Sequence, residues 1–195
     1  MDKLKDKVIL ITGAGKGIGR RLAEELAVRG AIIAANDISP INVEEVAAGI
    51  RAKGGTVKVY VEDVAKKVGA QMLVKNVEDQ FGRLDVLINH AAVEPHTPLL
   101  DMDEWDWHRT LDVNLTGAFL MSQSAGRVMR AKGSGVILNL GAGAGEKEKE
   151  AGAYLVSKSA LAELSHQLAR ELNPFGVRVI TASTYAESLN ALEEA

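Results

Sequence analysis

The sequence contains no cysteine, which excludes both a disulfide framework and thiolate chemistry. Histidine is nearly as scarce. His90 and His96 share no metal-ligand spacing with a third histidine or an aspartate, so they read as loop histidines and no metal site is expected. Long hydrophobic runs are missing too. The opening Met1-Asp2-Lys3-Leu4-Lys5-Asp6-Lys7 is charged, and the apolar run after it is four residues long, too short for a signal-peptide core or a membrane span. Neither sign of charge dominates: 23 basic residues face 26 acidic ones, for a net charge of −3. No Lys/Arg block exceeds a pair, so the positive footprint that nucleic acid requires is absent. These absences leave a cytoplasmic globular chain as the expectation. With 195 residues and 47% hydrophobic content, one domain spanning 1–195 is expected.

The informative stretch is Val8–Arg20. Val8-Ile9-Leu10-Ile11 has no polar alternation, as a strand buried on both faces would have none, and it stops at Thr12-Gly13. Glycines follow at 13, 15, 17 and 19, and Ile18, Leu22 and Leu26 then recur every four residues, one face of a helix. A strand-to-helix turn of this kind aims backbone N–H groups and the positive end of a helix dipole at one point, and the missing side chains let a phosphate come close. A dinucleotide pyrophosphate suits it. The pattern departs from G-x-G-x-x-G, because Gly13-x-Gly15-x-x ends on Ile18. A second short strand, Ala31–Ala35, ends at Asn36-Asp37. Asp37 follows Gly13 by 24 residues, near the roughly 20 at which an acidic residue meets the adenosine ribose in such folds. A carboxylate there accepts from the ribose hydroxyls and repels a 2′-phosphate, favouring NAD over NADP; the plainer alternative is a solvated carboxylate at a strand end.

Ser39-Pro40 opens a helix that ends at Gly54-Gly55, and Thr56–Val61 reads as strand three. A helix marked by Val68, Val77 and Phe81 stops at Gly82, and Leu84–Asn89 is strand four. Asp103 caps a long helix to about Met129, Val136–Leu140 is strand five, and Val177–Thr181 is strand six. Trp105 and Trp107 read as packing residues. The alternation predicts an α/β fold, a doubly wound parallel sheet of strand order 3-2-1-4-5-6 with helices on both faces and ligand at the switch point between strands one and four.

Thr12-Gly13-Ala14-Gly15-Lys16-Gly17-Ile18-Gly19 resembles the T-G-x-x-x-G-I-G signature of the short-chain dehydrogenase/reductase family, whose sheet is Rossmann-like. The resemblance covers about Lys7 to Ser183. It implies that Gly13, Gly15, Lys16, Gly17, Ile18 and Gly19 hold the pyrophosphate. Lys16 is a weak pointer toward NADP, since a cation there accompanies NADP in some relatives. Asp63-Val64 resembles the pair that holds the adenine amino group, and a plain N-cap for a helix beginning near Ala65 is the other reading of Asp63. Asn89-His90-Ala91-Ala92 stands where the family has N-N-A-G, keeping Asn89 as a cofactor residue and losing the closing glycine. Asn114 matches the catalytic asparagine of V-N-L-x-G, which holds a proton-relay water. Tyr154-Leu155-Val156-Ser157-Lys158 matches Y-x-x-x-K. The i, i+4 spacing puts Tyr154 and Lys158 on one helix face, where an ammonium would favour the phenolate of a group whose ordinary pKa is about 10. The resemblance makes Tyr154 the general acid/base and Lys158 its partner and a ribose ligand.

Two departures bear on activity. The family's N-I-S-S is Asn139-Leu140-Gly141-Ala142 here, so the serine that polarises the substrate carbonyl is Ala142, or Gly141 if the loop is one residue shorter. The alternating Glu146–Glu150 run reads as a solvated segment. The family's S-P-G is Ser183-Thr184-Tyr185, and residues 184–195 form a helix-like tail in place of a substrate loop and seventh strand. The expected function is therefore NAD(H)-dependent interconversion of a secondary alcohol and a carbonyl, with activity impaired by the missing serine. A dinucleotide-binding protein with a regulatory role, or a fragment of a longer dehydrogenase, are the alternatives. A homodimer is expected through the Asp103–Met129 and Tyr154–Leu172 helices, with Gly117, Ala118, Ser122, Ala125 and Gly126 allowing close approach.

Overall fold

The computed structural model describes residues 3–142 and 151–194; the Glu146–Glu150 run lies outside the described residues. Six parallel strands form one sheet of order β3-β2-β1-β4-β5-β6, as the alternation predicts. They are β1 (Val8–Thr12), β2 (Ile32–Asn36), β3 (Thr56–Tyr60), β4 (Val86–Asn89), β5 (Gly135–Leu140) and β6 (Val177–Ala182). The helices are α1 (Gly17–Val28), α2 (Pro40–Ala52), α3 (Lys67–Phe81), α4 (Glu104–Leu111), α5 (Ala118–Lys132), α6 (Gly152–Leu172) and α7 (Tyr185–Glu194).

Every side chain of β1 is buried, so alternate residues feed opposite faces of the sheet. Ile9 and Ile11 join Leu22, Leu26, Val43, Val46 and Ile50 of α1 and α2 on one face. Val8 and Leu10 join Leu73, Val77, Met121, Ala125 and Met129 of α3 and α5 on the other. Each fully buried Leu or Ile contributes about 1.5–3 kcal/mol over its exposed state. β1 pairs in register with both β2 (Thr12 opposite Asn36) and β4 (Thr12 opposite Asn89), and the cleft opens beyond these carboxyl ends.

Local signals act as read. The Ser39 hydroxyl accepts from the Asn42 N–H with Pro40 at the first helical position, Asp103 accepts from the Asp106 N–H at 2.8 Å, and Gly82 takes the left-handed conformation (φ +69°) that stops α3. Three readings need correction. The long helix from Asp103 is interrupted: Asp112–Gly117 winds as a π turn between α4 and α5, and Gly117 at its end passes so close to Val64 that a methyl there would sit 3.2 Å from its side chain. Asp63 is not the cap of α3, which starts at Lys67; its carboxylate instead accepts from the Ala65 N–H in a turn two residues earlier. Trp105 does not pack, being 70% exposed.

The tail forms α7. Its first turn is fixed by the Thr184 hydroxyl accepting from the Glu187 N–H and by Glu187 accepting from the Ser183 N–H at 2.8 Å. Leu192 enters the core, and the Arg21 guanidinium lies 4.1 Å from the Tyr185 ring centroid.

Candidate active site

A cavity of about 280 Å³ lies at the carboxyl ends of β1, β2, β3 and β4. Among the sequence-predicted residues, Gly13, Lys16, Asp37, Asp63 and Val64 line it. The glycine loop forms one wall. Gly13 and Gly17 have φ of +66° and +55°, which a side chain would strain, and a methyl on Gly13 would meet the Ala91 Cα at 2.8 Å. Gly19 is packed tighter still: a methyl there would sit 2.4 Å from the Gly13 carbonyl. Ile18 turns inward and packs on the core. The loop thus has a cradle that a Cβ would fill, followed directly by the amino end of α1.

Asp37 is docked on this loop. One carboxylate oxygen accepts from the Gly15 N–H at 2.9 Å and the other from the Ser39 N–H at 2.9 Å. A methyl on Gly15 would come within 2.8 Å of that carboxylate, so glycine at 15 is what lets Asp37 reach the loop backbone. Each oxygen keeps acceptor capacity for a further donor.

His90, read as a loop histidine, is part of the wall. Its Nδ1 lies 3.0 Å from the Gly13 carbonyl oxygen, and its backbone N–H donates to the Thr12 hydroxyl at 3.1 Å. Burial pushes its pKa below the ordinary histidine value, with the nearby Lys158 charge adding to the effect and the Gly13 carbonyl opposing it. No residue spacing reveals this role; the strand pairing that sets β4 beside β1 does so. The cavity also takes in Asn36, Glu62, Val93, Arg109 and Val113, none of which was expected. Arg109 Nη1 stands 3.8 Å from Asp63 Oδ2. The Ala92 side chain, in the place of the family's glycine, is exposed in the cavity wall.

Asn89 is elsewhere. Its amide nitrogen donates to Ser122 Oγ (2.9 Å) and Asn139 Oδ1 (2.8 Å), and Asn139 in turn donates to Ser165 Oγ at 2.8 Å. This buried network ties β4 and β5 to α5 and α6, and Asn89 does not line the cavity.

The π turn carries Asn114 to α6, where it meets Ser157, a residue between Tyr154 and Lys158 in the helix. The Asn114 amide accepts from the Val93 N–H (2.8 Å) and donates to the Val93 carbonyl (2.9 Å) and to Ser157 Oγ (3.0 Å). Ser157 Oγ donates to the Tyr154 carbonyl at 2.6 Å. Both amide hydrogens of Asn114 are therefore used, and the side chain braces the loop after β4 against the start of α6. Tyr154 is 7% and Lys158 4% exposed. Lys158 Nζ donates to the Leu140 carbonyl at 2.7 Å and lies 5.5 Å from the Tyr154 ring centroid. Gly141, next to Leu140, faces Ser183: a Cβ on Gly141 would stand 3.3 Å from Ser183 Oγ.

Among the described residues no group of three or more His, Asp or Glu side chains could hold a metal, and no helix is long and apolar enough to cross a membrane. Comparison with known proteins agrees with the fold and the motif. A family model described as short chain dehydrogenase matches residues 7–188. D-threitol dehydrogenase of Mycolicibacterium smegmatis is 37% identical over 93% of this chain and 70% of its own. A crystal structure of NAD+-bound xylitol dehydrogenase superposes with a TM-score of 0.88 at 34% identity, covering 93% of this chain and 70% of that one. A metagenomic short-chain oxidoreductase in complex with NADP superposes at 0.90 with 27% identity, covering 99% and 93%. The chain belongs to the short-chain dehydrogenase family, a family of oxidoreductases built on this nucleotide-binding sheet.

Proposed function

We propose that the protein is an NAD(H)-dependent oxidoreductase interconverting a secondary alcohol and a carbonyl compound. The observation that carries this reading is the buried Tyr154–Lys158 pair, with the lysine anchored on Leu140 and the start of its helix braced by Asn114. The residues fit a dinucleotide: the glycine cradle suits a pyrophosphate, Asp37 suits a ribose diol, and Asp63 with Val64 suits an adenine amino group. Bound NAD would supply the hydride acceptor. Tyr154 takes the alcohol proton in oxidation and returns it in reduction, and Lys158, held by the Leu140 carbonyl, keeps a positive charge beside the phenol while that proton moves. Asn114 fixes the distance between the loop wall and this pair. NAD is preferred over NADP because Asp37 is fastened to two backbone amides and cannot swing aside for a 2′-phosphate.

The similarity to D-threitol and xylitol dehydrogenases supports a small polyhydric alcohol as substrate. A second reading rests on Ala142, which offers no hydroxyl to a developing oxyanion; losing one such donor costs on the order of 10²–10³ in kcat, so dinucleotide binding with slow chemistry follows from the same site. Titration of NAD, NADH and NADP by calorimetry, then an oxidation screen of polyols monitored at the nicotinamide absorbance, tests both. Turnover that disappears in Tyr154→Phe supports the oxidoreductase. NAD binding without any Tyr154-dependent turnover leaves the binding reading, and no binding of any dinucleotide refutes both.

A further inference from the structure

We propose that Arg109 is the residue that stacks on the adenine ring. The inference rests on the dinucleotide reading and adds a contact that neither the motif nor the family match assigns. Arg109 and Val113 lie one turn apart on the helix that crosses the cavity, and both line it together with Asp63, Val64 and Ile38. Asp63 and Val64 offer an acceptor and a backbone edge suited to the amino group of a purine, while Ile38 and Val113 offer apolar surface to its faces. The charge distribution favours a base over a phosphate as the Arg109 ligand: Asp37, Glu62 and Asp63 line the same cavity, and Asp63 is the carboxylate beside the guanidinium.

The guanidinium has the freedom the contact requires. It stands 3.8 Å from Asp63 Oδ2, beyond hydrogen-bond length, so Asp63 holds its charge nearby without fixing its plane. Its side chain lines the cavity and is 30% exposed, so part of it is open to a ring entering there. A planar, weakly hydrated cation gains by lying flat on an aromatic ring, which a lysine ammonium does not reproduce. Arg109 thereby distinguishes a base from an empty cleft and closes the adenine end from the α4 side.

Calorimetry with AMP, ADP-ribose and 2′,5′-ADP on the unmodified protein, Arg109→Ala and Arg109→Lys tests this. Arg109→Ala weakens AMP and ADP-ribose alike, by about five- to thirtyfold, the range a desolvated cation–π contact is worth. Arg109→Lys keeps the charge beside Asp63 but lacks the plane, and falls with the alanine variant. On adding AMP, the Arg109 Hδ proton resonances move upfield as they enter the ring current. Retention of AMP affinity by the lysine variant, a loss confined to 2′,5′-ADP, or an unmoved Arg109 resonance overturns the proposal while leaving dinucleotide binding in place. An unmodified protein that binds none of the three ligands overturns both.

Discussion

Replacing Asp37 by asparagine removes one charge and turns one of two acceptors into a donor. Asp37 accepts from the Gly15 and Ser39 amides at 2.9 Å each, so the new NH₂ group must oppose one of these N–H groups. A hydrogen bond to a charged group is worth about 1.5–3 kcal/mol, which sets the expected loss of loop order and of the ribose contact, about ten- to hundredfold in NAD affinity. The effect on NADP has the opposite sign. A 2′-phosphate carries about −1.5 to −2 charges, and two unit charges at 4 Å repel by about 1 kcal/mol even in water and about 4 kcal/mol near a protein surface, so Asp37 holds NADP off by at least tenfold. Asparagine lifts that repulsion. Parallel calorimetric titrations of NAD and NADP on both proteins are expected to show NAD weakened and the NAD/NADP ratio collapsing toward one. Equal affinity of the unmodified protein for the two cofactors, or an unchanged ratio in Asp37→Asn, refutes the reasoning.

Ala142→Ser is the restoration to try, since a serine at 141 would press against Ser183; it is expected to raise turnover by a fraction of the 10²–10³ that a lost oxyanion donor is worth, and an unchanged kcat would remove the serine from the explanation. Asp85 is buried and accepts from Arg83, Lys132 and the Val8 N–H; burial works against its ionisation, but the Arg83 and Lys132 contacts outweigh it and hold the carboxyl below its ordinary value. The folded chain therefore binds this proton more weakly than the unfolded one, so the contribution is complete above the ordinary carboxylate pKa and is lost as pH falls through the folded value. Asp85→Asn is expected to cost about 2–3 kcal/mol at pH 7 in urea denaturation, with the gap closing below about pH 4; a gap independent of pH would refute the assignment. For assembly, a homodimer through the exposed α5–α6 groove, lined by Phe119, Arg127, Arg130, Leu164 and Glu171, predicts a dimer mass in light scattering at micromolar concentration, and a monomer there contradicts it.

Ala118, Ser122, Ala125 and Gly126 are buried in the chain, Gly126 against Leu172, while Ser122 and Gly126 also line the floor of that groove. Sequence shows that a helix has a small-residue stripe, and only the packed structure shows which way the stripe faces. The strand order and the glycine turn were legible because unbroken apolar runs and left-handed glycines are local signals. Asp37 was legible for the same reason, standing just past the end of a strand, whereas Asp63 and Val64 were legible only through their resemblance to the family's pair. His90 and Arg109 were not. Their place in the cavity depends on β4 lying beside β1 and on α4 crossing the cleft, contacts between segments 77 and 46 residues apart that no window of sequence contains. Asn89 sits at the end of its strand as well, but the side alternation turns it toward Ser122 and Asn139.

The π turn at Asp112–Gly117 places Asn114 where an unbroken helix would not. A π turn holds one residue more than an α turn, the geometry left by a single inserted amino acid. Deleting one residue there would restore a regular helix and leave α5 close to its present phase, because the bulge takes up the extra residue within one turn. Met121, Ala125 and Met129 would then keep the face they share with β1 and α3. What the deletion would remove is the placement of Asn114, and with it the brace between Val93 and Ser157 of α6, so the core and the site can be perturbed separately at this turn.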